Sequence, residues 1–275
     1  MNKNLNVYIA TSDSNIFIIK YFQYFFNKYF SDKYQVKILG FSKPKFKLEK
    51  NFEFISLAQE QIGGANRWSD YIVNYFKNIK DKFFIFGIDD FMVVRPVDFN
   101  ILNTSGMLIK KYKNIGRVDL QPVQYAKNIF MFKKFGDHNS LQFKEIRKYF
   151  FLFKTYLATG AFSIWEKKFF LSSFEKNMSP WQWEIYGTKK LQKHKKIVIC
   201  SWNCSAIKKI ELLSNKAWPG YINIRGIRKE DINQMRKLVK QSDRVKKFKK
   251  VSSLVSGYCA RNANDNNWVN KIYGK

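Results

Sequence analysis

Residues Phe83–Asp98 read FFIFGIDDFMVVRPVD. The run Phe83–Ile88 is uniformly apolar, the pattern of a strand covered on both faces of a sheet, and it stops abruptly at two carboxylates, Asp89 and Asp90. Open α/β sheets bind their ligands at the carboxyl ends of the strands. Two acids half-buried at such an end are costly unless a cation or strong donors compensate them, so the pair points to a divalent metal or a polyol. An Asp pair capping a turn is the alternative. Phe91–Asp98 continues as a short extended segment into a Pro turn.

Strand and helix patterns alternate outward from this stretch. Leu5–Thr11 (LNVYIAT) predicts a strand that runs into the polar turn Ser12-Asp13-Ser14, Ile16–Phe30 a helix, and Gln35–Phe41 and Phe52–Leu57 two more strands. Trp68, Ile72, Tyr75, Phe76 and Ile79 fall on one face of a helix over Asn66–Lys80. Downstream, Phe99–Tyr112 reads as a helix, Ile115–Leu120 as a strand, and Ile146–Phe153 with Tyr156–Trp165 as paired strands. Glu166–Phe174 and Pro180–Lys190 read as helices, the latter opened by Pro in its first turn, and Val198–Trp202 as a strand. The alternation predicts an α/β fold: a Rossmann-type mixed, mostly parallel sheet flanked by helices. We expect one domain over 1–220 and a basic, largely helical extension over 221–275.

The chain has 275 residues, with 50 Lys and Arg against 21 Asp and Glu, a net charge of +29 and a pI near 9.9. At 45% hydrophobic residues it can bury a core of one large domain, which excludes global disorder. The charge calls for an anionic partner: nucleic acid, lipid headgroups or phosphorylated substrates. An AT-rich coding bias, visible in the abundant Lys, Asn, Ile, Phe and Tyr, accounts for part of the Lys excess, though not for the scarcity of acids.

Several chemistries are excluded by what is missing. No G-x-x-x-x-G-K-[ST] or G-x-G-x-x-G run occurs, which argues against P-loop and dinucleotide enzymes. His138 and His194 lack Ser or Cys neighbours in a nucleophile context. Cys200, Cys204 and Cys259 form no zinc-ribbon spacing and read as reduced thiols. Tyr149–Trp165 is interrupted by Lys154, Thr155, Thr159 and Gly160, too short and too polar for a membrane span. The start, MNKNLNVYIATSDS, has no secretory leader pattern, so a cytoplasmic location is expected.

The run from Phe83 resembles the D-x-D region of GT-A-fold glycosyltransferases, and three further segments stand in that family's order: LNVYIAT with its polar turn, ANRWSDYIVNYF before the acidic strand, and TGAFSIWEKKFF followed by SPWQWEIYG. The likeness spans Leu5–Lys190 and is nearest to bacterial and viral transferases that build cell-surface glycans. It implies a GT-A-like, hexosyltransferase-type inverting enzyme that takes a nucleotide-sugar donor and a glycan or lipid-linked acceptor. Asp90 would match the last acid of D-x-D, which holds Mn²⁺ or Mg²⁺ on the diphosphate, and Asp89 the middle position. Ile88 replaces the first acid, a departure that leaves neutralisation of the diphosphate by Lys or Arg open. Thr11, Ser12 and Asp13 would lie against the nucleotide, and Arg67 and Asp70 would face the nucleotide sugar, unless the last two form an ordinary ion pair one turn apart.

Glycosyl transfer builds positive charge at the anomeric carbon and negative charge on the departing phosphates, and inversion requires a carboxylate to accept the acceptor's proton. Glu184 matches the family position of that base, with Asp89 as the second catalytic acid. Trp181 and Trp183 would offer faces to a sugar, and Gly160 and Ala161 would leave room for the acceptor. The plain alternatives are a surface glutamate, core tryptophans and tight strand packing. Arg225, Arg228 and Lys229 would fold over the diphosphate, or form a solvated loop. Over Lys229–Lys250, Ile232, Met235, Leu238, Val239, Val245 and Phe248 keep near-helical spacing among nine basic and three acidic residues, an amphipathic helix suited to an anionic membrane surface. Peripheral membrane association would follow. A nucleic-acid-binding protein is the second reading. Against it, the aromatics sit inside apolar runs rather than among basic residues, and no RNP, zinc-finger or basic-zipper pattern appears.

Overall fold

The structure, a computed structural model, describes residues 5–59, 64–121, 132–148, 156–202, 206–207, 209–211, 221–223, 227–238 and 247–249. The chain divides into two compact units, Met1–Lys208 and Lys209–Lys275.

In the first unit the order is β1 (Val7–Ala10), a 3-10 turn at Ile16–Ile18, α1 (Ile19–Tyr29), β2 (Val36–Gly40), β3 (Phe52–Ser56), α2 (Trp68–Asn78), β4 (Phe83–Ile88), β5 (Phe91–Val93) and α3 (Phe99–Lys111). Then follow β6 (Ile115–Asp119), β7 (Phe132–His138), β8 (Leu141–Ile146), β9 (Ser163–Glu166), α4 (Lys167–Ser172), α5 (Pro180–Gln182), a π-helical turn at Trp183–Gly187, α6 (Thr188–Gln192) and β10 (Ile197–Ser201). Nine strands form one sheet in the order β3-β2-β1-β4-β9-β6-β10-β8-β7. β1 is parallel to both β2 and β4, and β2 to β3. β9 runs antiparallel between β4 and β6, while β10 is parallel to β6. The mixed, mostly parallel α/β architecture expected from the sequence is the one observed.

Alternation along the strands explains the layers. Tyr8 and Ala10 of β1, Phe84 and Phe86 of β4 and Trp165 of β9 share one core with Ile72 and Phe76 of α2, Phe169 and Phe170 of α4, and Trp183 and Leu191. Their neighbours Val7, Ile9, Ile85 and Ile164 are buried as well, so both faces of the central sheet are covered. On this second face Phe22 of α1 stacks on Phe162, 6.2 Å between ring centres. A fully buried Phe side chain contributes about 1.5–3 kcal/mol, which makes this aromatic interior the main source of stability.

Two expectations are corrected here. Ile146 closes β8 and Ser163 opens β9, and these strands do not pair: β8 lies between β10 and β7, and β9 between β4 and β6. Tyr156–Phe162 is not a strand at all, and 149–155 lies outside the described residues.

In the second unit, β11 (Lys209–Glu211), β12 (Tyr221–Asn223), α7 (Lys229–Leu238) and β13 (Lys247–Lys249) are described, with β12 parallel to β13. The helix expected over 229–250 is described over Lys229–Leu238, and Lys247–Lys249 is extended, so the expectation is corrected at those three residues. Met235 and Asp231 are fully buried, so part of the helix's apolar stripe is used inside the protein. Arg225 and 239–246 lie outside the described residues, as do Cys204 and Cys259.

Candidate active site

The strand order 3-2-1-4 reverses direction between β1 and β4, and in doubly wound sheets the crevice at such a switch point is where ligands bind. β1 ends there in Thr11, and β4 ends in Asp89 and Asp90. The Thr11 hydroxyl donates to Asp89 Oδ2 at 2.5 Å, and the Asp89 amide donates to Ala10 O at 3.1 Å. The Asn15 side chain, one turn further along, favours the ionised form of Asp89.

Asp89 is 5% exposed, and among the described residues no Lys or Arg pairs with it. Burial pushes its carboxyl up to about 7, against the opposing pull of the Thr11, Asn15 and backbone hydrogen bonds that favour the ionised form. Asp90 is half-buried beside it. Ser12 is partly exposed and hydrogen-bonds Ser14 at 2.9 Å, while Asp13 accepts from the Ser42 amide at 2.8 Å and the Ser42 hydroxyl at 2.7 Å. Asp13 thus ties the β1 turn to the loop after β2.

A second group adjoins this edge. The Ile88 amide donates to Gly160 O at 3.0 Å, which joins the end of β4 to the segment entering β9. The Gly160 amide donates to Glu184 Oε1 at 2.8 Å, and the Thr159 hydroxyl to the same oxygen at 3.0 Å. The structure therefore brings Thr11, Asp89, Gly160 and Glu184 into one continuous chain of hydrogen-bonded segments, although 173 positions of sequence separate the first from the last.

Glu184 sits in the π-helical turn, a feature frequent at functional sites. The helix is started by Ser179 and Gln182, whose side chains each accept from the other's backbone amide. It ends its wide turn at Gly187, where a Cβ would lie 2.8 Å from Ser173 O and 3.1 Å from Ala158 Cβ. Thr188 Oγ1 then accepts from the Leu157 and Ala158 amides, both at 3.0 Å.

Other expected site residues are placed differently. Trp183 is fully buried, stacked on Phe174 at 5.1 Å with its indole N–H on Ser173 Oγ, so it offers no face to an acceptor. Trp181, at 40% exposure, does present a surface. The space beside Gly160 is filled: a Cβ there would meet Ile88 Cδ1 at 2.9 Å, so the glycine serves close packing against Ile88 rather than an acceptor. Ala161 is half-buried, its amide on Thr159 Oγ1. Arg67 and Asp70 form an ion pair at 3.2 Å, and Asp70 also accepts from the Asn177 amide.

Sequence reading missed Arg117 and Asp119 on β6. Arg117 is fully buried and its Nη2 pairs with Asp119 Oδ2 at 2.6 Å. Charged residues alternating in a strand read as a solvent-facing pattern, and only partners 39 or more positions away reverse that reading.

For Mn²⁺ or Mg²⁺, no cluster of three His, Cys, Asp or Glu side chains occurs among the described residues. A buried carboxylate without a cationic partner, next to a second carboxylate, fits a hard cation that arrives with substrate phosphates.

Neither a family model nor a curated protein sequence matches the chain. Among solved structures it is similar to apo UDP-glucose pyrophosphorylase, with 12% identity, a TM-score of 0.44 and coverage of 76% of this chain and 93% of that one. It is similar to residues 1–349 of S. aureus TarS, with 10% identity, a TM-score of 0.47 and coverage of 74% and 59%. A CMP:2-keto-3-deoxy-manno-octonic acid synthetase complexed with CTP gives 12%, 0.43, 76% and 93%. At such identities and scores these likenesses carry no functional inference.

Proposed function

We propose that this chain is a transferase of activated sugars: an inverting, GT-A-like glycosyltransferase that moves a sugar from a nucleoside-diphosphate donor to a glycan or lipid-linked acceptor in cell-surface polysaccharide synthesis. The observation that carries the reading is the Thr11–Asp89 hydrogen bond across the β1/β4 switch point, where a buried acid has no cationic partner among the described residues. An anionic diphosphate would not settle against that acid unaided. Asp90 and Asp89 would hold a divalent cation, which would supply positive charge to offset that of the departing phosphates.

Glu184 serves as the base. Its Oε1 is fixed by Thr159 and Gly160, which orients the carboxylate and leaves Oε2 for the acceptor hydroxyl. As the acceptor oxygen bonds to the anomeric carbon, the bond from that carbon to the phosphate oxygen breaks, the nucleoside diphosphate leaves, and the hydroxyl proton passes to Glu184. Trp181 supplies an exposed face for a sugar ring near this helix.

Thermal unfolding measured against a panel of nucleoside-diphosphate sugars, with and without Mn²⁺, tests the reading, since only a ligand that favours the native state raises the midpoint. One donor should raise it by several degrees when Mn²⁺ is present. Glu184→Gln should keep that shift and lower transfer about 100-fold or more. A panel with no response, or Glu184→Gln with full transfer, would overturn the respective assignment.

A further inference from the structure

We infer that Arg117 is a positioning residue, which through the segment Tyr156–Ser163 holds Glu184 in its working orientation; this rests on the reading of Glu184 as base. Tyr156–Phe162 is not a strand, so most of its buried N–H and C=O groups must be met outside a regular ladder. Arg117 meets two of them, with Nη1 donating to Tyr156 O at 3.3 Å and also to Leu157 O. Thr188 takes the Leu157 and Ala158 amides, Glu184 the Gly160 amide, and Ile88 donates to Gly160 O. The Arg117 Nε donates to Ser163 Oγ at 3.1 Å, and that hydroxyl donates on to Ala161 O.

One planar fork therefore grips both ends of the segment whose middle holds Glu184. Its plane is fixed in turn by Asp119 at 2.6 Å and by Trp165, with the guanidinium carbon 5.1 Å from the ring centre. Only Arg carries enough donors in one plane to reach all of these acceptors, whereas Lys would supply a point charge without that geometry. A buried ion pair contributes little net stability compared with apolar residues of the same volume. What the pair supplies here is the shape of an irregular segment. The Glu184 carboxylate is also close enough for its field to act on Arg117.

The test replaces the pair as a unit, Arg117→Met with Asp119→Leu, so that no orphan charge is buried. We expect a denaturation midpoint near the parent's, a donor KM within about threefold, and a kcat lower by about 30-fold. A purely structural role would not produce that split. In the same variant, native-state hydrogen exchange at the Gly160 amide should be at least about tenfold faster, with Ile9 and Ile38 unchanged. Unchanged Gly160 exchange, or an unchanged kcat, overturns the inference. A parent chain that turns over no nucleotide sugar overturns the functional reading and the catalytic half of this one, while the exchange result still decides whether the pair holds the segment. Should the double variant fail to fold, Ser163→Ala removes the Nε acceptor together with the hydroxyl's own bond to Ala161 O, leaving the charged pair in place. It should lower kcat about threefold at constant KM, and a kcat equal to the parent's counts against the inference.

Discussion

Asp89 and Asp119 end two parallel strands of one sheet and are almost equally buried, at 5% and 8% exposure, yet their surroundings are opposite. Asp119 meets the Arg117 guanidinium and the Gln121 amide, so its charge is balanced inside the protein. Asp89 receives the Thr11 hydroxyl but no cation among the described residues, and burial raises its carboxyl. An acid balanced from within shapes the chain around it. An acid left unbalanced at the carboxyl edge of the sheet remains able to respond to a charge that comes from outside.

The largest effect expected from this contrast is on stability at the balanced acid. Asp119→Ala leaves Arg117 buried without its partner and should cost about 3–5 kcal/mol in urea unfolding. A loss below about 1 kcal/mol would mean that the two acids are not different in kind. Asp89→Asn should act the other way and with a pH signature. Because the folded state raises the Asp89 carboxyl to about 7, the stability linked to its protonated form is fully present below the ordinary carboxylate range and is lost as pH rises through about 7. Asp89→Asn does not titrate, so its advantage over the parent should grow between pH 5 and pH 8.5, to roughly 4 kcal/mol at most. Thermal unfolding at several pH values reads it, and a difference that stays flat with pH would sink the assignment. The smallest effect belongs to an acid paired in the open: Arg67→Ala breaks the Arg67–Asp70 pair, in which Arg67 is 49% exposed, and should change stability by less than about 1 kcal/mol. A larger cost there would show that exposure is not what separates these pairs.

The strand FFIFGI and the acids that close it were legible because uniform apolarity has one meaning in a sheet covered on both faces. The helix at Trp68–Asn78 was legible from apolar spacing, and that at Ile19–Tyr29 from a helix-length apolar stretch. Glu184 was marked by family likeness, and its contact with Gly160 depends on a loop that no local pattern specifies. The tryptophans show the limit well. Trp181 and Trp183 stand two apart on one helix, and nothing in the sequence says which one faces inward; packing against Phe174, Trp68 and Trp165 decides it. β9 was misjoined for a similar reason, since its partners β4 and β6 lie far away in sequence.

Gly187 closes the wide turn that carries Glu184, with the Ser173 carbonyl and the Ala158 methyl pressed against the space where a side chain would begin. A methyl added there would wedge the helix away from the sheet, and Glu184 and Thr188, which clasp neighbouring amides of the same segment, would be displaced together. The smallest residue of that helix thereby becomes its most exacting one: an absence of atoms, three positions from the proposed base, sets how near the carboxylate can come to Gly160 and the end of β4.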